Sequence, residues 1–78
     1  MAFYIEMNKL SDSDDHVDYS FGRDSNTGII RLDKISESIV ILKECPLDTT
    51  GKWSERAAMK LARLWSSGEL PDKTQWAS

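Results

Sequence analysis

The residues that could do chemistry in this chain are one histidine, one cysteine and a run of aspartates. His16 follows Asp14 and Asp15, and Cys45 lies about thirty residues further along. A cysteine nucleophile needs a neighbouring base, and His16 is the one histidine that could serve, so a Cys–His pair stays open from sequence alone. Isolated cysteines are more often small buried apolar residues, and that is our interpretation of Cys45.

The run SDSDDH (11–16) also has the carboxylates of a calcium loop. It lacks the central glycine and the closing bidentate glutamate that such a loop requires, since Val stands at 17 and Arg at 23. Zinc needs more His and Cys ligands than the chain has. Nucleophile-elbow and phosphate-binding glycine patterns are missing too. The sequence therefore predicts no metal, no cofactor and no enzymatic activity.

Acidic residues are concentrated in the first half of the chain. Residues 1–39 hold eight acids and four bases, a balance of −4, whereas residues 40–78 hold five acids and six bases, a balance of +1. An acidic surface suits a basic protein partner, because contact with nucleic acid or anionic lipid needs clustered Lys and Arg. With one cysteine, no secretion signal and no apolar run long enough to cross a bilayer, we expect a cytoplasmic protein without membrane contact.

The hydrophobic pattern predicts an α+β fold of order ββββα. Alternating or β-branched runs predict the strands of a four-stranded antiparallel meander, and a helix would then pack across one of its faces. Residues 8–16 are interpreted as a loop, and a loop of three to five residues should join the last two strands. We expect one domain over 1–78, with a sheet region at 1–44, a helix at 50–68 and a tail at 69–78; the strands are 3–7, 17–22, 29–34 and 38–44.

The predicted helix has two distinct sides. Trp53, Ala57 and Leu61 follow the spacing of a core-facing stripe, and either Thr50 or Ser54 could be its N-cap. A second side carries a row of bases, defined here as the basic row: Arg56, Lys60 and Arg63. The basic row can be a solvated helix face, or it can contact nucleic acid in a small regulatory protein, which is the alternative function.

Trp76 lies beyond the helix stop that Gly68 and Pro71 predict. The tail must fold back to bury this side chain, or else Trp76 stays exposed as part of a docking segment. We favour folding back, because a small core gains most from one more large ring.

Taken together, the chain resembles the small immunity proteins that neutralise bacterial nuclease toxins, in particular those of contact-dependent growth-inhibition systems. The resemblance covers the small size, the acidic segment SDSDDHVD (11–18), the hairpin TGIIRLDKISESIVIL (27–42) and the ending RAAMKLARLWSSGELPDKTQW (56–76). It implies a cytoplasmic antitoxin that binds a cognate toxin domain and blocks its active site. No nucleic acid, membrane or small-molecule substrate is expected as a direct partner.

An acidic surface could cover the basic cleft of a nuclease, and aromatic side chains could anchor the complex if they are exposed. The candidate toxin-binding residues are the acids Asp12, Asp14, Asp15, Asp18 and Asp24 and the aromatic residues Tyr4, Tyr19 and Trp76. A third possibility is an accessory subunit whose exposed sheet edge pairs with a partner or with a second copy.

Overall fold

Within the described residues, one antiparallel sheet of five strands carries a single helix across one face. The computed structural model describes residues 4–77. The strands lie in the order β4-β3-β2-β1-β5, and every pairing is antiparallel. In chain order the elements are β1 (Tyr4–Asp12), β2 (His16–Arg23), β3 (Asn26–Asp33), β4 (Ser38–Lys43), α1 (Lys52–Ser67) and β5 (Lys73–Ala77). The predicted α+β class, with a meander followed by a helix, is confirmed, and one more strand joins the sheet.

The first strand is longer than its hydrophobic pattern indicates. β1 continues through polar residues to Asp12, which pairs with Val17, so the interpretation of residues 8–16 as a loop is wrong except at the turn 13–15. Backbone pairing with β2 carries the strand across this polar stretch, although the register shifts between Lys9 and Ser11. Phe3, the first residue of the predicted strand 3–7, lies outside the described residues.

The predicted tail contains the fifth strand. β5 pairs with β1 so that Trp76 is opposite Ile5, and the expected folding back of the tail is confirmed. Trp76 is half-buried and packs against the core. Two further contacts fix the segment that leads into β5: the Tyr19 hydroxyl donates to the Pro71 carbonyl at 2.5 Å, and the Lys9 N–H donates to the Asp72 carbonyl at 2.8 Å.

The core lies between the sheet and α1. Alternate residues of β1, β2 and β3 point to the face that the helix covers, as the period of two in the sequence predicts. The fully buried side chains on this face include Met7, Tyr19, Phe21, Ile30 and Leu32, and the helix adds Ala57 and Leu61. The strands and the helix are thus held in place by one continuous apolar layer, which fixes where the polar residues at the ends of the strands must lie.

The start of α1 differs from the expected cap. Gly51 is the N-cap residue, rather than Thr50 or Ser54. The side-chain acceptor comes from further back, because the Asp48 carboxylate accepts the Ser54 N–H at 3.1 Å and the Ser54 hydroxyl at 2.8 Å. A carboxylate near the start of a helix also meets the favourable end of the helix dipole.

The end of α1 is as predicted. Gly68 adopts a left-handed conformation with φ 83°, and its N–H donates to the carbonyls of Leu64 and Trp65. Only glycine adopts this conformation without strain, so the helix stops there. In the part of the chain that the structure describes, no helix combines the length and the apolar character needed to cross a membrane.

Gly28 allows the close packing between β2, β3 and the segment after β4. A Cβ atom at this position would collide with the Lys43 carbonyl oxygen and would lie 2.7 Å from both the Cys45 nitrogen and the Phe21 Cζ atom. Two of these three atoms belong to the backbone, so they cannot move aside cheaply. The glycine is therefore needed for space.

We predict that Gly28→Ala lowers the free energy of unfolding by about 3 kcal/mol, because overpacking of a dense core is costly. Gly51→Ala is the matched control: a Cβ there meets open space, and the left-handed φ of 81° alone should cost about 1 kcal/mol. Urea denaturation of both variants measures the difference. Equal losses of stability would contradict the steric explanation.

Candidate protein-binding site

Two turns meet at one end of the sheet. The β1–β2 turn (13–15) and the β3–β4 turn (34–37) are adjacent because His16 at the start of β2 pairs with Asp33 at the end of β3. A backbone hydrogen bond joins the turns directly, from the Lys34 N–H to the Asp15 carbonyl at 2.8 Å. The four-residue β3–β4 connection agrees with the predicted hairpin loop.

This end of the sheet, here called the acidic end, gathers most of the negative charge. Seven acids face three bases, a net charge of −4 with His16 neutral, while the whole chain carries −3. Because the remaining residues then carry +1, the charge of the protein is polarised. The acids of the acidic end are Asp12, Asp14, Asp15, Asp18, Asp33, Glu37 and Asp72, and its bases are Lys9, Arg31 and Lys34.

Lys34 fastens the two turns of the acidic end together. Its ammonium group donates to Asp12 Oδ1 at 2.5 Å and to the Ser13 carbonyl at 2.6 Å. Lys9 approaches the same carboxylate, with its Nζ atom 3.3 Å from Asp12 Oδ2. The hydrogen bond from Lys34, together with Lys9, holds the pKa of Asp12 below its usual value. Asp12 is thus ionised and fixed in position.

Asp18 is the buried member of the predicted acidic set, with a relative exposure of 8%. The Arg31 guanidinium donates to both of its carboxylate oxygens, at 2.7 and 3.0 Å, and the Ser11 hydroxyl donates at 3.2 Å. Hydrogen bonding to Arg31 is the main reason that the pKa of Asp18 is lowered. A carboxylate held in this way stabilises the sheet and is not accessible to a partner protein.

Asp14 and Asp15 are the most accessible acids of the predicted set. Both side chains are exposed in the β1–β2 turn, and within the described residues neither takes part in an ion pair. Their negative charge is therefore not neutralised by a bound cationic side chain. These two residues are the best-placed contacts for a basic surface.

Asp24 does not join the other predicted acids. It lies in the turn between β2 and β3, at the opposite end of the sheet, with a positive φ of 52°. Since β2 runs eight residues from His16 to Arg23, Asp24 is separated from Asp15 by the full length of a strand. One surface therefore cannot contain all five predicted acids.

Tyr19 is buried, so it cannot be one of the exposed aromatic anchors that the sequence suggested. Its side chain is 0% exposed, beneath α1, and its hydroxyl bonds to the Pro71 carbonyl. Burial, with the nearby charges of Asp12 and Asp72, raises the pKa of Tyr19 to about 12. The residue connects β2 to the segment before β5, and its burial leaves it no surface to offer a partner.

Tyr4 and Trp76 lie away from the acidic end, on opposite faces of the sheet. The Tyr4 hydroxyl donates to Gln75 Oε1 at 2.7 Å, and its ring is 6.0 Å from the Arg23 guanidinium. Trp76, on the helix side, is contacted by two members of the basic row: the guanidinium carbons of Arg56 and Arg63 lie 5.8 and 5.0 Å from its ring centre. Neither half-buried ring belongs to the same surface as the exposed aspartates.

The acidic end also contains acids that sequence reasoning missed. Asp33 accepts the N–H groups of Ile35 and Ser36 at 2.9 and 3.1 Å, and these bonds lower its pKa. Glu37 accepts the Trp65 indole N–H at 2.9 Å. Asp72 belongs to the acidic end because its Oδ1 atom lies 3.6 Å from Lys9 Nζ. Asp33 could have been recognised from the sequence, because an aspartate in a turn that follows a strand is a known pattern. The places of Glu37 and Asp72 in the acidic end depend on the topology of the fold.

Cys45 and His16 lie at opposite ends of the sheet. Cys45 is buried, and its Sγ atom is 3.3 Å from the Asn26 carbonyl oxygen beside the β2–β3 turn. His16 begins β2 at the acidic end, where Nε2 is 4.0 Å from Asp18. This placement rules out the Cys–His pair that the sequence left open. Among the described residues no group of three or more His, Cys, Asp or Glu side chains is arranged to hold a metal ion.

Fold and site together define a small α+β protein with one strongly acidic end. No protein-family model matches the chain, and comparison with curated proteins and with solved structures found no significant similarity.

We predict that Asp18→Asn lowers the free energy of unfolding by about 2 kcal/mol at neutral pH, because Arg31 then loses a charged partner at a buried position. The native pKa of Asp18 is below the ordinary value of 3.8, so its ionised form stabilises the fold above that pH. This stabilisation is lost as the pH falls from 3.8 towards the native pKa.

Denaturant titrations across the acidic pH range provide the test of this prediction. Asp18→Asn should show a weaker loss of stability on acidification than the unaltered protein. The control Asp14→Asn removes an exposed carboxylate and should change stability by less than about 0.5 kcal/mol. If Asp18→Asn retains the full acid dependence, the pair with Arg31 is not its source.

Proposed function

We propose that this protein is a cytoplasmic binding module that neutralises a basic toxin domain, in the manner of an immunity protein, and that the toxin is a nuclease. The observation that carries this proposal is the acidic end, where charge from three separate parts of the chain converges on one surface. Nuclease active sites hold phosphates with basic residues, so an acidic surface can occupy the same cleft as the substrate.

Hydrogen bonds tie the acidic end together. Lys34 of the β3–β4 turn bonds to Asp12 and to the Ser13 carbonyl, and Arg31 bonds to Asp18, so the exposed carboxylates of Asp14 and Asp15 are carried on a hydrogen-bonded support. A preorganised surface loses less conformational entropy on association than a mobile one does. The charge then speeds encounter with a basic partner and disfavours acidic ones.

An apolar anchor is available within the same surface. Ile35, in the β3–β4 turn, is 77% exposed, the most exposed of the large hydrophobic side chains in the described chain. An apolar side chain surrounded by charged groups is a common arrangement in protein interfaces, where the centre excludes water and the rim stays polar. Ile35 therefore takes the anchoring role for which Tyr19 is unavailable.

The proposal predicts which charge reversals weaken binding. Asp14→Lys combined with Asp15→Lys should slow association with the captured partner at least about tenfold at low salt, because the steering field is reversed. The control Glu44→Lys combined with Glu55→Lys changes the net charge equally with exposed residues away from the acidic end, and it should have a much smaller effect. Stopped-flow or surface-binding kinetics measure both.

Identification of the partner comes first in this experiment. The tagged protein is used to capture partners from a lysate of the native host. Each recovered partner is then assayed for nuclease activity with and without the tagged protein. Recovery of a basic nuclease that the protein inhibits would support the proposal. Recovery of RNA or DNA without a protein partner would refute it, as would equal effects of the two double variants.

The alternative is a small nucleic-acid-binding regulator that uses the basic row. The observation in its favour is that Lys60 and Arg63 share one groove with Lys73 beside β5. Against it, Arg56 and Arg63 are already in contact with the Trp76 ring. Raised absorbance at about 260 nm in the purified protein would favour this alternative, since bases absorb there and the phosphates bind through Lys and Arg.

A further inference from the structure

A groove lies beside β5 and β1, away from the exposed Asp14 and Asp15, although the exposed Asp72 directly precedes its lining residue Lys73. It has a volume of about 640 Å³ and is open to solvent. Side chains from three elements line it, and those that matter most here are Tyr4, Lys60, Arg63, Lys73, Gln75 and Trp76. We call this feature the β5 groove.

The β5 groove is positively charged. Lys60 and Arg63 reach it from α1 and Lys73 from β5, whereas Glu6 is the one acid among its described lining residues. Arg63 is held in place by the Trp76 ring, 5.0 Å from its guanidinium carbon. A cation stacked on an indole keeps its charge and remains able to bond to an anion at its edge. The lining thus presents positive charge to a ligand that enters the groove.

β5, beside the groove, is an edge strand of the sheet. No described strand pairs with the outer side of β5. The Lys9 N–H bonds to the Asp72 carbonyl, and bonded and non-bonded pairs alternate along an antiparallel ladder. Thr74 and Trp76 therefore bond inward to β1, and Lys73 and Gln75 turn their N–H and C=O groups outward.

We propose that the β5 groove binds an acidic peptide segment in extended conformation, which adds to the sheet as a sixth strand. The peptide backbone supplies partners for the outward groups of Lys73 and Gln75. Side chains of an added strand alternate between faces, so one set of carboxylates meets Lys60 and Arg63 while the next meets Lys73. Charge and backbone geometry thus point to the same occupant.

A single-stranded nucleic acid is the competing anionic occupant, and two features of the groove disfavour it. Such ligands bind by stacking bases on open aromatic faces, whereas guanidinium groups already contact the Trp76 ring. Nucleic acid also leaves the outward N–H and C=O groups of β5 without strand-like partners. The inference is independent of the toxin-binding proposal, because it concerns a different surface and a ligand of opposite charge.

Backbone protection separates the two occupants. The probe is an acetylated peptide that repeats Glu-Glu-Thr-Thr, about ten residues long, so that carboxylates lie on both faces of the added strand and the peptide spans β5 at about 3.3 Å per residue. Hydrogen exchange of ¹⁵N-labelled protein is followed by NMR with and without the peptide. The amides of Lys73 and Gln75 should exchange at least about tenfold more slowly with the peptide bound, while those of Thr74 and Trp76 are already protected.

Charge-reversal variants test the walls of the groove. Lys60→Glu and Lys73→Glu should each weaken binding of the peptide at least about tenfold, and two variants guard against a folding defect in either one. Lys52→Glu is the matched control, since it reverses an exposed lysine at the start of α1 outside the groove, and it should leave the Kd within about twofold.

Three results would overturn the proposal. The first is the absence of peptide binding at low salt, and the second is binding without protection of Lys73 and Gln75. The third is binding of an oligothymidylate of similar length that is tighter than that of the peptide and is lost in Lys60→Glu, which would assign the groove to nucleic acid.

Discussion

Strand β2 is buried along both faces, although the single helix can cover only one of them. On the helix side Val17, Tyr19 and Phe21 meet the apolar core. On the other side Asp18 and Ser20 are nearly as inaccessible, so a charged carboxylate is placed where water cannot fully solvate it. Arg31 on β3 and Ser11 on β1 meet this requirement by bonding Asp18 from both neighbouring strands. The centre of the sheet is therefore held by apolar packing on one face and by an ion pair on the other.

The surface charges are separated along the sheet. Asp18 is paired with Arg31, whereas the exposed Asp14 and Asp15 in the β1–β2 turn keep their negative charge. The bases Lys60, Arg63 and Lys73, from α1 and β5, line the groove beside the other edge of β1, where β5 pairs with it. A protein of this size thus offers two surfaces of opposite charge, and each suits a different class of partner.

Much of the fold follows from the local sequence pattern. The parts that the pattern does not predict have physical causes. β2, β3, β4 and the helix stop were predictable because alternation, β-branched runs and Gly68 are strong signals. β5 was not, since KTQWA contains only one large apolar residue and becomes a strand by pairing with β1. For the site, neighbours in sequence could be grouped correctly, but Asp72 joins them only through the tertiary return of the chain, and Asp24 is carried away by the length of β2.

The pairing of β1 with β5 connects residues almost the whole described chain apart, as the bond between Tyr4 and Gln75 illustrates with a separation of 71 positions. Closing so long a loop costs about 2.5 kcal/mol more entropy than closing a four-residue hairpin. The β1–β4 meander contains only short connections, so we expect it to form before β5 is added. For the same reason we expect β5 to be the strand that detaches first from the native state, and its edge to be the most adaptable part of the sheet.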